Sequence, residues 1–273
     1  MKYKLAEALA RILSFILNLV SPPKCAICKD ILSESGELCP VCLNHFAHAM
    51  NRRCPLCGKT ARSCTCRPRY MQYTTEIGEK RMLALTYFAK SDCTDPGDIA
   101  SRRLVYAVKK SLPRSCVKFA ARQISHELLR FFAREKLDIT KWYITYPPRS
   151  REGIREFGFD QSKQLTHHIS RYTGIKVIPC FKRNKGKMQK LLSTTERKMN
   201  ADKIYELAAG CDVKGKRFLI IDDVITTGST VNACAKLLLD GGASDAFPVC
   251  ISRMKKKKRL PKRKSPKKLW FNR

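Results

Sequence analysis

Negative charge is scarce in this chain. Asp and Glu total 23 against 55 Lys and Arg, a formal net charge of +32 across 273 residues. That imbalance narrows the partners toward polyanions: nucleic acid, anionic lipid or phosphorylated metabolites. It says nothing about fold, and a basic surface also serves plain solubility. A long apolar run is missing too. A bilayer-spanning helix needs about 20 such residues, and the best candidate, residues 4–20, is interrupted by Glu7 and Arg11. It reads as an amphipathic helix ended by Ser21-Pro22-Pro23, packed on the protein or docked on a membrane face. Lys2 and Lys4 ahead of it leave a signal peptide as the alternative, but no small-x-small cleavage site precedes Pro22. There is also no G-x-x-x-x-G-K-[ST] sequence, which excludes a Walker A phosphate loop.

Cysteine is plentiful: 14 residues, eight of them crowded before position 67. With no clear export signal, C-x-x-C pairs point to metal in a reducing compartment rather than to disulfides. Cys25, Cys28, Cys39 and Cys42 form two knuckles able to place four thiolates in a tetrahedron, the closed geometry of structural zinc. Cys54, Cys57, Cys64 and Cys66 repeat the theme imperfectly. The Cys64-Thr-Cys66 pair is cramped but can ligate, so a second zinc stays open. His45 and His48 lie between the clusters and read as surface residues.

The rest of the chain is arranged around Phe218-Leu219-Ile220-Ile221-Asp222-Asp223-Val224-Ile225-Thr226-Thr227-Gly228-Ser229-Thr230. An apolar run, two adjacent acids, a small hydroxyl-rich loop and then helical spacing from Val231 to Leu239 predict buried strand, acidic strand end, loop and helix. Ligands of open α/β sheets bind at the carboxyl ends of strands. The loop from Thr226 to Thr230 can turn N–H groups and hydroxyls onto a phosphate, aided by the helix N-terminus. Asp222 and Asp223 are acceptors only. They suit vicinal ribose hydroxyls or a divalent cation held through water.

Upstream, Met82 to Ala89 reads as a strand, Ser91 to Gly97 as a turn, and Leu104 to Lys110 and Val117 to Phe132 as helices with solvated basic faces. Trp142 to Tyr146 predicts a strand stopped by Pro147-Pro148. Arg149, Arg151 and Arg155 follow in a flexible loop suited to clamping pyrophosphate, since guanidinium meets phosphate oxygens in pairs. Gln161 to Tyr172 reads as a helix whose His167 and His168 are surface residues, and Ala246 to Ser252 as a last strand.

The acid pair and its loop resemble the signature of the type I phosphoribosyltransferases, which bind phosphoribosyl pyrophosphate (PRPP). In that family the two acids hold the ribose hydroxyls and the loop holds the 5′-phosphate, places filled here by Asp222, Asp223, Thr226, Thr227, Gly228, Ser229 and Thr230. The order of cysteine knuckles, Arg-rich segment, Gly158-Phe159-Asp160-Gln161 and phosphate loop is more closely similar to the ComF family. Those are phosphoribosyltransferase-like proteins associated with uptake of single-stranded DNA in natural transformation. The series Gln189, Leu192, Arg197 and Asn200 also stands in the family's order. The family usually has Arg before Gly-Phe and Asn after it; this chain has Phe157 and Asp160, so Arg155 or Arg151 would have to supply that Arg contact.

The expected architecture is therefore α/β, a mostly parallel sheet of type I phosphoribosyltransferase kind behind a small zinc module. The divisions expected are an amphipathic helix at 1–23, the cysteine-rich module at 24–70, the transferase-like domain at 71–253 and a basic, disordered tail at 254–273. What the resemblance implies is a Mg²⁺- and PRPP-dependent transferase with Asp222 and Asp223 as its catalytic acids and structural Zn²⁺ on the cysteines, working on the cytoplasmic side, with the inner membrane face and a membrane-associated DNA-uptake machinery as neighbours. Asp160 and Glu196 are the only guesses for a general base, and the acceptor is unnamed. One alternative is a non-catalytic single-stranded DNA-binding factor using PRPP as a signal. The tail supports it, because Lys and Arg track phosphates while Trp270 and Phe271 stack on bases; the same tail suits an anionic membrane face. Another is a nucleotide-salvage transferase for a free base, which leaves the zinc module unexplained.

Overall fold

A computed structural model describes residues 22–32, 36–88, 94–110, 115–184 and 204–255. The expected helix at 4–20, the series from Gln189 to Asn200 with Glu196, and the tail from residue 256 with Trp270 and Phe271 lie outside the described residues.

Five strands form one wholly parallel sheet: β1 (Leu83–Phe88), β2 (Trp142–Thr145), β3 (Lys176–Val177), β6 (Arg217–Ile225) and β7 (Asp245–Met254), in the order β1-β7-β6-β2-β3. Parallel neighbours need crossovers, and helices supply them. Helices α2 (Pro96–Lys110) and α3 (Ser115–Arg134) link β1 to β2, α4 (Arg151–Phe157) and α5 (Gln161–Thr173) link β2 to β3, and α6 (Ser229–Asp240) links β6 to β7. Helix α1 (Pro40–Asn51) lies within the cysteine-rich stretch. A separate antiparallel pair, β4 (Phe181–Arg183) with β5 (Tyr205–Leu207), sits outside the sheet.

Strand alternation builds two cores. Leu219 and Ile221 of β6 face one side, with α2, α3 and α5. Phe218 and Ile220 face the other, with Val231, Cys234 and Leu238 of α6. Both sides being covered explains why β6 reads as an unbroken apolar run instead of an alternating one. Phe131 stacks on Phe247 at 5.2 Å between ring centroids, pinning α3 to β7.

Among the described residues, the predicted strands and helices form, with shifted ends. Helix α2 begins at Pro96, inside the expected turn, because Pro is tolerated at a first helical position. The stretch after Pro148 is the short helix α4 instead of a loop: the Ser150 hydroxyl accepts from the Gly153 N–H at 3.0 Å, and Gly158 closes it at φ +77°.

Candidate functional site

Strand β6 connects onward to β7, and β2 to β3, on opposite sides. The sheet's order therefore reverses between β2 and β6, and a crevice opens at their carboxyl ends. Pairing with β2 runs only to Thr145 opposite Ile220. Pro147-Pro148 stop β2, whereas β6 continues to Ile225 alongside β7. Asp222 and Asp223 thus stand beyond the end of β2, one on each face of β6.

Asp223 is buried on the α2–α5 face. The Gln161 amide donates to its Oδ2 at 3.3 Å, and the Lys109 ammonium lies 3.8 Å from the same oxygen. The other Gln161 atom, Oε1, is buried with no partner. Asp222 points toward α6, and its Oδ1 accepts from the Asp223 N–H at 2.8 Å. Desolvation pushes both carboxyls above the usual carboxylate range. The Asp223 charge raises Asp222 further, while Lys109 pulls Asp223 partly back. Such a strained pair gains from any ligand that offers hydroxyl donors or positive charge.

Directly after β6, Thr226 to Thr230 turn into α6 through Gly228 at φ +85°. Because the capping residue is glycine, no side chain satisfies the first N–H groups of α6. The Thr227 and Ser229 hydroxyls lie 3.0 Å apart at the rim of a small hollow lined by Asp222 and the whole loop. Orphan N–H groups, hydroxyls and a helix N-terminus make an anion cradle.

Arg149 follows the end of β2. Its N–H donates to Asp160 Oδ2 at 2.8 Å, its guanidinium donates to the Lys109 carbonyl at 3.3 Å, and the group lies 4.1 Å from the Phe157 ring centre. Phe157 and Asp160, the two departures from the usual family pattern, both hold Arg149. Asp160 also caps α5 by accepting from the Lys163 N–H at 3.0 Å. Arg151 and Arg155 lie exposed on α4, and Arg149 is the guanidinium of the three whose charge reaches Asp223.

The cysteines gather as two groups of four, each with its sulfurs within 4.8 Å of one another. Cys28 and Cys39 sulfurs are 3.7 Å apart, Cys54 and Cys66 3.8 Å, Cys57 and Cys64 3.6 Å. Four thiolates around zinc at about 2.3 Å are separated by about 3.8 Å, whereas a disulfide brings sulfurs to about 2.05 Å. The spacing is that of a ligand shell. Neither His45 nor His48 joins a cluster.

Comparison with known proteins adds to this geometry. Residues 16–72 match the double zinc ribbon domain, and residues 164–271 match the phosphoribosyl transferase domain. The DNA utilization protein YhgH of Salmonella typhimurium is 28% identical over 233 residues, covering 84% of this chain and 89% of that protein. The competence protein ComFC of Streptococcus pneumoniae is 24% identical over 214 residues, covering 78% and 86%. The chain belongs to the ComF/YhgH family. Its fold is the α/β phosphoribosyltransferase-like one, with five parallel strands behind a double zinc ribbon. Among solved structures, a glutamine PRPP amidotransferase of B. subtilis complexed with ADP and GMP aligns at 19% identity and TM-score 0.31, over 60% of this chain and 29% of that one. Among the described residues, no helix is long and apolar enough to cross a membrane.

For this ComF/YhgH member, Lys109 is the site residue that sequence reading missed. It closes α2 in a stretch with no motif, and its charge looked like one more solvated helix cation. Gln161 stands in Gly158-Phe159-Asp160-Gln161, a pattern that assigns it no role; its amide on Asp223 does. The glycine of the cradle is fixed by more than its φ. A Cβ there would lie 2.5 Å from Met71 Cγ and 3.3 Å from Pro68 Cβ. Gly228→Ala is expected to cost roughly 2–4 kcal/mol, from backbone strain plus overpacking. Thermal unfolding monitored by circular dichroism checks this, and an unchanged midpoint contradicts the packing described.

Proposed function

We propose that this chain binds PRPP with Mg²⁺ and transfers its phosphoribosyl group, in a role connected with the use of single-stranded DNA. The observation that carries the reading is the acid pair standing beyond the end of β2 and running directly into the glycine-turned anion cradle of α6. Asp222 and Asp223 accept from the ribose hydroxyls. The 226–230 loop takes the 5′-phosphate on its N–H groups and hydroxyls. Arg149, with Lys109 behind it, faces the pyrophosphate and takes up charge as the C1–oxygen bond breaks. Asp222 and Asp223 are the carboxylates that would hold Mg²⁺, which would supply positive charge against the departing pyrophosphate. The two cysteine groups hold one zinc each as closed, structural sites.

The DNA connection rests on what the similar proteins are called and on the basic charge. It gives a second reading, a non-catalytic DNA-binding factor for which PRPP is a signal. Release of pyrophosphate from PRPP in the presence of Mg²⁺ and candidate acceptors separates the two. Turnover supports the transferase; tight PRPP binding without turnover favours the signal. The DNA element is tested by truncation. Met254 ends β7 and Lys255 pairs with buried Asp98 at 3.0 Å, so the cut that spares the fold begins at residue 256. Removing 256–273 is expected to weaken single-stranded DNA binding by roughly tenfold or more at low salt and to flatten its salt dependence. An unchanged slope in fluorescence anisotropy places the DNA surface elsewhere.

A further inference from the structure

The two cysteine groups are not equivalent in where they pack. Cys25 and Cys42 belong to the core under α2 and α3, where Arg122 of α3 pairs with Glu37 at 2.6 Å and Phe46 meets Phe119 at 5.0 Å. Cys54 and Cys64 belong to the opposite core, together with Met71 and with Ile225 and Val231, which bracket the phosphate loop. The segment leaving that second group, residues 67–75, runs under the loop as a strap. The Tyr70 N–H donates to the Thr227 carbonyl at 3.0 Å. Met71 and Pro68 lie against Gly228. Asn232, in the first turn of α6, accepts through Oδ1 from the N–H groups of both Gln72 and Tyr73, the latter at 2.9 Å. The strap is held at its far end where the Thr75 N–H donates to the Ala246 carbonyl at 2.9 Å. At its near end the buried Arg253 guanidinium, from the end of β7, donates to the carbonyls of Cys64 and Cys66.

We propose that the second cysteine group is a working part of the phosphate site. Its strap forms the floor of the 226–230 loop, Asn232 is the positioning residue that joins floor to loop, and metal held by Cys54, Cys57, Cys64 and Cys66 sets affinity for the 5′-phosphate. The first group serves the opposite core and does not. This rests on the PRPP reading above and deepens it. The physical basis is short range: a loop that binds phosphate through N–H groups needs those groups fixed in advance, and only three residues lie between Cys66 and Tyr70. Unfolding the second group frees the strap, while unfolding the first leaves the loop's contacts in place.

The test compares PRPP and inorganic pyrophosphate, each titrated calorimetrically with Mg²⁺ into the full chain, with zinc content and thermal midpoint measured in parallel. Asn232→Ala removes two accepted bonds but places a better helix former in α6. It is expected to retain two zinc ions and a near-normal midpoint, weaken PRPP roughly tenfold and leave pyrophosphate unchanged, because pyrophosphate does not use the loop. Arg122→Ala, which cuts the first group's ion pair to α3, is expected to leave both affinities unchanged. Cys66→Ser is expected to drop one zinc and weaken PRPP at least as much as Asn232→Ala. Equal PRPP affinity in wild type and Asn232→Ala overturns the strap and leaves the PRPP reading standing. Equal weakening by Arg122→Ala overturns the distinction between the groups. A wild type that ignores PRPP overturns the reading on which all of this rests.

Discussion

Replacing Asp222 and Asp223 together by Asn is expected to abolish PRPP binding, a loss of at least about 100-fold, while leaving the protein as stable as before or more so. Both carboxyls are held above their ordinary range, chiefly by desolvation, so the folded chain already bears the cost of keeping them charged. Asn has the same shape, still accepts from the Gln161 amide and carries no charge. The pH dependence follows from the sign of the shift. A carboxyl raised on folding makes the native state bind more protons than the unfolded one between the ordinary value, near 4, and the native value. Stability from this pair therefore falls as pH rises through that window. The thermal midpoint of wild type should drop relative to the double Asn variant between pH 5 and pH 8. Calorimetric titration with PRPP and melts at both pH values check the two halves. A destabilised variant, or one that still binds PRPP, contradicts the account.

The second large effect is metal removal. Each group of four cysteines is spaced for one zinc, so metal analysis of the purified chain should give two ions. The chain around them has little other regular structure: the described cysteine-rich stretch holds α1, one short 3₁₀ turn at Ala61–Ser63 and isolated bridges such as Arg53 with Thr60. Free-energy contributions of structural zinc run to roughly 10 kcal/mol in small zinc-folded units. Stripping both ions with a strong chelator is expected to lower the thermal midpoint by more than about 10 °C, since about 1 kcal/mol shifts a domain of this size by roughly 2–4 °C. One zinc per chain would show that the second group does not close. An unchanged midpoint would deny both groups a structural role.

Much of this was legible in the residues. The run from Phe218 to Thr230 specified a strand, an acid pair and a cradle because each part has a local physical signature: apolar continuity, adjacent charges, a glycine among hydroxyls. The first four cysteines announced their cluster by spacing. The second four did so only in part, since Cys64-Thr-Cys66 is cramped on paper and closes only once the turn at Ala61–Ser63 brings it back to Cys54 and Cys57. What stayed hidden is tertiary. Lys109 reaches Asp223 through the packing of α2 beside β6, which no local pattern encodes. Sequence placed Arg149, Arg151 and Arg155 in one clamp and looked to Arg155 or Arg151 for the family's Arg contact; the short helix α4 instead exposes those two and leaves Arg149 half-buried over the Phe157 ring. Nor does sequence show that residues 67–75 pack against the 226–230 loop, because Met71 and Gly228 meet across more than 150 residues of chain.

The central claim is that the acid pair and loop form a PRPP site. Calorimetric titration of PRPP into the zinc-loaded chain, with and without Mg²⁺, tests it most directly. Saturable binding at one site per chain that depends on Mg²⁺ is the predicted result. No heat of binding in either condition, from protein shown to be folded and to hold its zinc, would contradict it.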